Sequence, residues 1–305
     1  MARAQMLGTA RDFFAAKDVL EVCTPSLSAR TSTDPNIESI VARVSDRRLY
    51  LHTSPEHFMK RLLAADYPDI YQICSVYRDG EVGRFHLPEF TMIEWYRRGL
   101  ELREIMREST DLVTALFSKK TLNQSPLFIS YSQAFDAALS LDPLLADIAS
   151  LATVVDADAQ LQVSLGDDRD AWLDLAMASR VATTFAADRL TVVYHYPSTQ
   201  AALARVCPDD SRVADRFEVY CGAIELGNGF VELTDANEQR ARFETDQKKR
   251  ESGGLDRHEI DDALISALRA GMPQAAGVAL GLDRMLMLNE GQGDIRSVTT
   301  FTPGN

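Results

Sequence analysis

The chain has 305 residues, of which 46% are hydrophobic and 25% charged, so it can bury a large core and is not a disordered chain. Its formal net charge of -13 repels nucleic acid unless basic residues are locally concentrated, which disfavours tRNA as a partner. A basic protein or a cationic small molecule fits that charge better.

The cysteines and the apolar stretches indicate the cellular compartment. The four cysteines are scattered without metal-ligand spacing, so the sequence predicts neither a disulfide framework nor a zinc site. No stretch approaches the length needed to span a bilayer, and the first residues lack the apolar core of a signal peptide. These features predict a cytoplasmic protein without membrane contact.

The N-terminal segment predicts a helix followed by a strand. Apolar residues at helical spacing occupy residues 3–18, and an extended segment then meets Pro25. Because proline lacks an amide donor, this strand is expected at an edge or an interface. Residues 26–48 are polar and rich in turns and predict a surface loop, after which residues 49–51 resume a strand.

The next segment predicts a helix that begins beside Glu56. Ser54 and Pro55 are typical of a helix N-terminus, and an apolar-periodic run follows over residues 57–63. Glu56 has two interpretations: the helix dipole favours its charge, or it faces a cleft and binds a substrate amine.

Residues 69–97 predict two strands, 71–78 and 90–97, joined by a charged loop. If Arg78 pairs with Phe90, one face of the pair carries Arg78, Phe90, Met92, Glu94 and Tyr96. A nucleotide and amine site uses these residue types as phosphate ligand, stacking ring and amine ligand. A buried arginine–glutamate ion pair is the alternative.

Residues 100–190 predict a helical insertion without a catalytic pattern. Its helical segments are 102–117, 131–139 and 168–187, and a strand follows over residues 190–196.

Residues 217–235 predict a hairpin and a metal site. Two β-prone segments flank Cys221 and Gly222, so a two-residue turn there would set Glu218 directly opposite Glu225. Like charges across a strand pair are destabilising unless a cation lies between them, and Mg²⁺ prefers carboxylate oxygen. A solvated acidic hairpin is the alternative.

The last motif, residues 277–289, predicts a strand that gives way to a buried helix at Arg284. Glycines allow close backbone approach, and an arginine at this point adds charge to a helix end that attracts anions. A tight structural turn explains the pattern equally well.

Together these segments resemble the class II aminoacyl-tRNA synthetases, specifically the lysyl branch. The matching segments are 53–56 (TSPE), 77–78 (YR) with 88–94 (PEFTMIE), 225–233 (ELGNGFVEL) and 281–284 (GLDR). The N-terminal helix and strand resemble the first class motif, which forms the dimer interface. The resemblance implies an α+β fold, a single catalytic domain over residues 1–305 with an antiparallel sheet flanked by helices and a helical insertion near 100–190, and a homodimer.

Within that branch the chain resembles the free-standing elongation factor P lysine ligases. Lysyl-tRNA synthetases carry an anticodon-binding barrel before the catalytic part, whereas this sequence begins near the first motif, so no anticodon-binding domain is expected. These ligases attach a lysyl group, preferably β-lysyl, to a lysine side chain of elongation factor P. The alternatives are a lysine-activating ligase that charges tRNA or another small acceptor, and a catalytically inactive regulatory protein.

The resemblance implies ATP, Mg²⁺ and lysine or β-lysine as ligands. The residues implied to bind ATP are Arg78, His86, Phe90, Glu218, Glu225 and Arg284. Arg78 and Arg284 are the implied catalytic residues, on the α- and γ-phosphate, and Phe90 would stack on adenine. Glu218 and Glu225 would hold Mg²⁺.

A lysine-like substrate brings two ammonium groups and needs more than one carboxylate. The residues implied to bind it are Glu56, Glu94, Tyr96, Gly227, Asn228, Phe230 and Glu232. Glu56 and Glu94 would bind the amine near the carboxylate, and Glu232 with Tyr96 the distal amine. At Gly227 the elongation factor P ligases commonly carry alanine, whereas tRNA-charging enzymes carry glycine. No covalent enzyme intermediate is needed, so no nucleophilic serine or cysteine is expected.

Overall fold

The computed structural model describes residues 1–117 and 121–302. The α-helices in these residues are α1 (Ala2–Ala15), α2 (Glu56–Ala64), α3 (Leu102–Leu116), α4 (Tyr131–Leu139), α5 (Ile148–Val154), α6 (Ala159–Leu165), α7 (Arg169–Ala176), α8 (Ala236–Ser252), α9 (Asp262–Gly271) and α10 (Leu282–Asn289). The strands are β1 (Leu20–Glu21), β2 (Leu27–Ser28), β3 (Val41–Val44), β4 (Arg47–Leu51), β5 (Ile70–Tyr77), β6 (Glu89–Arg98), β7 (Leu127–Ser130), β8 (Leu190–Tyr194), β9 (Arg216–Cys221), β10 (Ile224–Val231) and β11 (Ala275–Gly281).

One large sheet organises the molecule. Its strand order is β1-β5-β6-β11-β10-β9-β8-β7, and its ladders are antiparallel except at the two edges, where β1 pairs with β5 and β7 with β8 in parallel. A small antiparallel sheet has the order β2-β4-β3. The predicted α+β fold, an antiparallel sheet flanked by helices, is confirmed.

The first face of the large sheet packs on α1, α3 and α10 and forms the main core. Successive side chains of a strand point to opposite faces, so Ile93 and Trp95 of β6 join this core while Glu94 and Tyr96 point away from it. Phe14 of α1 stacks on the ring of Tyr71, with ring centroids 4.3 Å apart.

The second face is covered only in part, which creates space for a site. At one end α2 and α9 pack on it through a cluster that includes Met59, Leu63, Leu264 and Leu268. At the other end, a separate cluster around Tyr131 and Trp172 joins α4, α5 and α7 to β8 and β9.

The N-terminal predictions are largely confirmed, with one correction. Helix α1 leads into β1, which lies at the edge of the sheet as expected before Pro25. Residues 26–48 were expected to form a loop, yet they contain β2, β3 and the start of β4. Strands β3 and β4 form a hairpin, and Ser45 adopts the left-handed φ of 53° that its two-residue turn requires.

Residues 100–190 contain the predicted helices but not one continuous helical unit. Helix α3 belongs to the main core, and β7 extends the large sheet beside β8. The predicted helix at 168–187 ends at Ala176 and continues as a π-helical turn, Met177–Val181.

Among the described residues, no helix combines the length and the hydropathy needed to cross a bilayer.

Candidate active site

A cavity of about 670 Å³ opens over the second face of the large sheet. Strands β6, β10 and β11 form its floor, and α2, α7, α8 and the loop before β3 contribute to its walls. The predicted site residues that line it are Glu56, Arg78, Glu94, Tyr96, Asn228, Phe230 and Glu232. Three carboxylates and a guanidinium from distant parts of the sequence therefore meet in one space.

Register explains why the residues of β6 face this cavity. The prediction that Arg78 pairs with Phe90 is wrong by two residues, since Phe90 lies opposite Val76 and the Arg78 amide donates to the Pro88 carbonyl at 2.9 Å. A shift of two residues keeps every side chain on its face. The predicted shared face is therefore confirmed.

The hairpin of β9 and β10 differs from its prediction in turn and register. Its two turn residues are Gly222, at a left-handed φ of 55°, and Ala223, so Glu225 lies opposite Tyr220. A β-bulge between Glu225 and Gly227 then sets Asn228 opposite Glu218. The prediction of a direct Glu218–Glu225 pair is wrong.

The bulge nevertheless keeps Glu225 and Asn228 on the same face of the sheet. Residues three apart in a regular strand point to opposite faces, and the extra residue of a bulge removes that difference. Because Glu225 opposes Tyr220, which is two residues from Glu218, both glutamates lie on the cavity side of the sheet.

Gly227 lies within the sheet and is not one of the residues that line the cavity. A Cβ atom there would stand 2.0 Å from the Ala279 carbonyl oxygen and 2.8 Å from the Leu280 Cα atom. The bulged backbone of β10 therefore requires glycine for its close approach to β11.

The amine end of the cavity is acidic and deeply buried. The Tyr96 hydroxyl donates to Glu94 Oε1 at 2.8 Å, and both side chains are almost inaccessible to solvent. Burial, and then the negative charge of Glu56, raise the pKa of Glu94 well above its ordinary value. Burial likewise raises the pKa of Glu232 to about 8, although Lys60 opposes the shift.

Lys60 is a residue that the sequence did not assign; it does not line the cavity itself but contacts two carboxylates that do. It is 1% exposed, and its Nζ atom lies 2.7 Å from Glu56 Oε1 and 2.6 Å from Glu232 Oε2. Burial opposes its charged form, but Glu232 and Glu56 outweigh that cost and the pKa of Lys60 is raised. The sequence feature that could have predicted this contact is a lysine one helical turn after Glu56 on an otherwise apolar helix face.

Glu232 and Tyr96 pack closely over Gly277. Among the described residues, Glu232 Oε1 has no hydrogen-bond partner although it is buried. A Cβ atom at Gly277 would stand 2.4 Å from that oxygen and 2.5 Å from Tyr96 Cε1. Glycine at this position therefore lets both side chains approach the backbone of β11.

Arg78 lies at the middle of the site. Its guanidinium stands over the ring of Phe90, 5.1 Å from the centroid, and donates to the Thr53 carbonyl at 3.4 Å and to Glu81 Oε1 at 3.2 Å. Strand β5 ends at Tyr77, so the side chain is held by its neighbours and by the loop that carries Glu81.

Arg284, at the start of α10, links three of the residues predicted to bind ATP. It donates to the Glu225 carbonyl at 2.9 Å and to His86 Nε2 at 2.6 Å. His86 accepts this bond only when Nε2 is unprotonated. Burial, and then the positive charge of Arg284, lower the pKa of His86 accordingly.

Glu225 lies beside Arg284 at the edge of this group. Its carboxylate is 3.7 Å from Arg284 Nη1, and its side chain keeps 36% of its surface exposed. Burial of the rest, and then the negative charge of Glu218, raise the pKa of Glu225, while Arg284 opposes the shift. A cation beside the two carboxylates would relieve this repulsion.

Glu218 has protein partners that the sequence did not assign. Arg216 donates to Oε1 at 2.7 Å, Tyr196 donates to Oε2 at 2.6 Å, and the Tyr220 hydroxyl donates to the same oxygen. Arg216 and Tyr220 stand two residues from Glu218 on the same strand face, which was a readable signal. Tyr196 lies elsewhere in the sequence and was not.

Only one group of three potential metal ligands of the His, Cys, Asp and Glu types comes together within residues 1–117 and 121–302. It consists of His195, Cys207 and Asp215, whose ligand atoms lie within 4.8 Å of one another. Asp215 is already paired with Arg205 at 2.7 Å, and none of the three residues lines the cavity.

Comparison with known proteins agrees with this arrangement. The family model of class II tRNA synthetases (D, K and N) matches residues 1–304. A protein of Klebsiella pneumoniae named "Elongation factor P--(R)-beta-lysine ligase" is 44% identical over 99% of this chain and 94% of its own length. Proteins of the same name from Erwinia tasmaniensis and Edwardsiella ictaluri are 44% and 45% identical over 99% and 94% of this chain, and over 94% and 90% of their own lengths. The chain is a member of the class II tRNA synthetase family of the D, K and N group.

Proposed function

We propose that this protein is an ATP-dependent ligase that activates lysine or β-lysine as an aminoacyl-adenylate and transfers it to a lysine side chain of elongation factor P. The observation that carries the proposal is the meeting of Glu56, Glu94 and Glu232 with Arg78 in one cavity. A diamino acid needs several carboxylates for its ammonium groups and a cation for its carboxylate, and this cavity offers both. The names of the relatives support the acceptor.

The arrangement suggests how the first step proceeds. Glu94 and Glu56 bind the amine nearest the reacting carboxylate, and Glu232 with Tyr96 binds the distal amine. The substrate carboxylate is then held beside Arg78, where it attacks the α-phosphorus of ATP and pyrophosphate leaves. Arg78 stabilises charge on both reacting groups without changing its own protonation state.

The opposite end of the site fits the triphosphate and the adenine ring. Arg284 lies beside Glu225 and His86, and its guanidinium binds the γ-phosphate in this proposal. The Arg78 guanidinium stands over the ring of Phe90. In this proposal the same ring also stacks on adenine. His86 holds the Arg284 guanidinium in place through its unprotonated nitrogen.

Glu225 and Glu218 are the residues that would hold Mg²⁺. They fit a hard cation because they are two carboxylates on one face, and burial and then the charge of Glu218 raise the pKa of Glu225. Glu225 is the more available ligand, since Arg216, Tyr196 and Tyr220 already donate to Glu218. An ion held there would neutralise charge on the phosphate groups.

In the second step the acceptor amine attacks the carbonyl carbon of the adenylate, and AMP leaves. No enzyme nucleophile takes part. The formal net charge of -13 favours a basic protein segment over tRNA as the acceptor. Because its proposed substrates are ATP and a translation factor, we propose that the reaction takes place in the cytoplasm.

We also propose a homodimer formed through α1 and the strands that follow it. Apolar side chains are exposed at Leu20 of β1, Leu27 of β2, and Val41 and Val44 of β3. Exposed apolar residues on edge strands are typical of an interface. Light scattering should give the mass of two chains, and Val41→Glu with Val44→Glu should give the mass of one.

Two experiments test the activity. Pyrophosphate exchange should require ATP and be stimulated by α-lysine or β-lysine, and no stimulation by either would contradict activation. Incubation with purified elongation factor P, ATP and the two lysines carrying different isotope labels should then raise the mass of the factor by one lysyl group. The label identifies the isomer, and label on tRNA instead of the factor would contradict the acceptor.

A further inference from the structure

Lys60 occupies an unusual position for a lysine, because it is buried beside two carboxylates of the pocket that the proposed function assigns to a cationic substrate. Its ammonium lies between Glu56 and Glu232 and 5.4 Å from the ring centroid of Phe230. The three residues that surround it come from α2 and from the end of β10. Both carboxylates are also assigned to substrate ammonium groups.

The position of Lys60 on α2 prevents it from leaving the pocket easily. It is one turn after Glu56 and belongs to the buried helix face that includes Met59 and Leu63. With 1% of its surface exposed, the ammonium is held inside the protein by the packing of α2 and by its two ion pairs.

Lys60 does not satisfy both oxygens of Glu232. Its Nζ atom lies 2.6 Å from Oε2 as an ion pair, while Oε1 is buried against Gly277 without a hydrogen-bond partner among the described residues. An unpaired buried carboxylate oxygen is costly and is best satisfied by a ligand with a donor. A substrate ammonium that reaches Glu232 supplies one.

Lys60 also sets the charge of the pocket. Among the groups that interact with Lys60, Glu56, Glu94 and Glu232 carry three negative charges when ionised, and Lys60 reduces this local sum to two. Both α-lysine and β-lysine carry two ammonium groups. A substrate with one ammonium group leaves a buried negative charge without a partner, which must be neutralised by a proton.

We propose that Lys60 is a positioning and specificity-determining residue: it fixes Glu56 and Glu232 relative to each other and adjusts the charge of the pocket to a substrate with two ammonium groups. This inference rests on the proposed function. Lys60 does not reach the reacting atoms, so its effect is on substrate affinity and selection. The ionisable groups that face it are Glu56 on α2, Glu94 and Tyr96 on β6, and Glu232 after β10.

The test replaces Lys60 by methionine, which has similar length and no charge, and by glutamine, which keeps a donor if the methionine variant fails to fold. For both variants we expect the KM for lysine in pyrophosphate exchange to rise about tenfold or more, because one charged hydrogen bond is lost. The kcat should change by less than about threefold. The preference for lysine over norleucine, which lacks the distal amine, should fall. Removal of the Lys60 ammonium should raise the pKa values of the neighbouring carboxylates. The pH at which the KM for lysine is lowest should therefore rise.

Leu63→Ala is the matched control on the same helix, since Leu63 is fully buried in the apolar cluster with Leu264 and Leu268 and carries no charge. It should lower the melting temperature without moving the pH dependence of the KM. Variants of Lys60 with an unchanged KM, selectivity and pH dependence would overturn the proposal, as would an equal shift of pH dependence in Leu63→Ala.

Calorimetric titration with lysine separates this proposal from the proposed function. If the wild-type protein binds lysine but catalyses no exchange, the proposed activity fails while the Lys60 variants still report on affinity and proton release. If wild-type exchange is normal and the Lys60 variants bind lysine with the same affinity and proton release, the Lys60 proposal alone fails.

Discussion

Gly277 lies directly opposite Tyr96 in the ladder between β11 and β6, and the phenol ring covers the place where a side chain at position 277 would stand. A Cβ atom there would be 2.5 Å from Tyr96 Cε1 and 2.4 Å from Glu232 Oε1. Gly277 therefore allows the two groups assigned to the distal amine of the substrate to pack closely against β11.

The first prediction concerns Gly277→Ala. The displaced atoms belong to side chains, so the fold should persist while Tyr96 and Glu232 move apart. We expect the KM for lysine in pyrophosphate exchange to rise about tenfold or more, because a charged hydrogen bond in the pocket is lost. Gly281→Ala on the same strand is the control, since its nearest neighbour would be 3.7 Å away. Equal KM values for the two variants would show that this packing does not affect lysine binding.

The second prediction is that lysine binds more tightly as pH rises towards about 8, the pKa of Glu232. Below that pH the free protein holds a proton on the carboxyl, which must leave when an ammonium group binds. The apparent affinity should therefore change about tenfold per pH unit for each proton released. Kinetics across this range test the prediction, and Glu232→Gln should remove the component near pH 8. A KM independent of pH would contradict it.

The same raised pKa affects folding with a defined sign. Between the ordinary value of 4.5 and about 8, the folded protein holds a proton on Glu232 that the unfolded chain releases. This contribution to the free energy of unfolding is therefore largest at the acid end of the window and is lost as pH rises. Added lysine should stabilise the protein more at pH 8 than at the acid end, which melting curves with and without lysine can measure.

The third prediction concerns Gly227→Ala. A Cβ atom 2.0 Å from the Ala279 carbonyl forces β10 and β11 apart, and we expect a loss of about 1–3 kcal/mol in the free energy of unfolding. Gly8→Ala is the control, because Gly8 lies inside α1 with no atom within 4 Å of its added Cβ. That variant should gain about 0.5–1 kcal/mol. Denaturant unfolding measures both, and an unchanged stability of Gly227→Ala would show that the bulge accepts a side chain.

The fourth prediction is that His86 is neutral at physiological pH and titrates below 6.5. Burial and the nearby Arg284 guanidinium both disfavour its protonated form. NMR of the imidazole resonances measures this pKa. Arg284→Met should raise it, whereas Arg296→Met, at an exposed arginine paired with Asp294, should leave it unchanged. A titration above 6.5 in the wild-type protein would contradict the arrangement.

The face of β6 could be predicted from sequence because it depends only on alternation. The predicted pairing of Arg78 with Phe90 differs from the observed register by two residues, yet Glu94 and Tyr96 lie on the predicted face. An even shift of register preserves faces. The length and periodicity of the helices could be predicted because they also depend only on residues close together in the sequence.

The hairpin of β9 and β10 could not be predicted in the same way. Whether its turn is Cys221 and Gly222 or Gly222 and Ala223 changes the cross-strand partner of Glu225, and both turns are compatible with the local sequence. The bulge at Gly227 arises where β10 must pair with β9 and β11 at once. This constraint comes from distant strands.

The sequence by itself determined which chemical groups this protein brings to its site: the arginines, the glutamates and the glycines of four short motifs. Only the tertiary structure decided how their charges are paired. Lys60 meets Glu232 because α2 packs against the end of β10, and Tyr196 reaches Glu218 because β8 and β9 are neighbours. Residue type and spacing are local properties, whereas the neutralisation of a buried charge depends on every element that surrounds it.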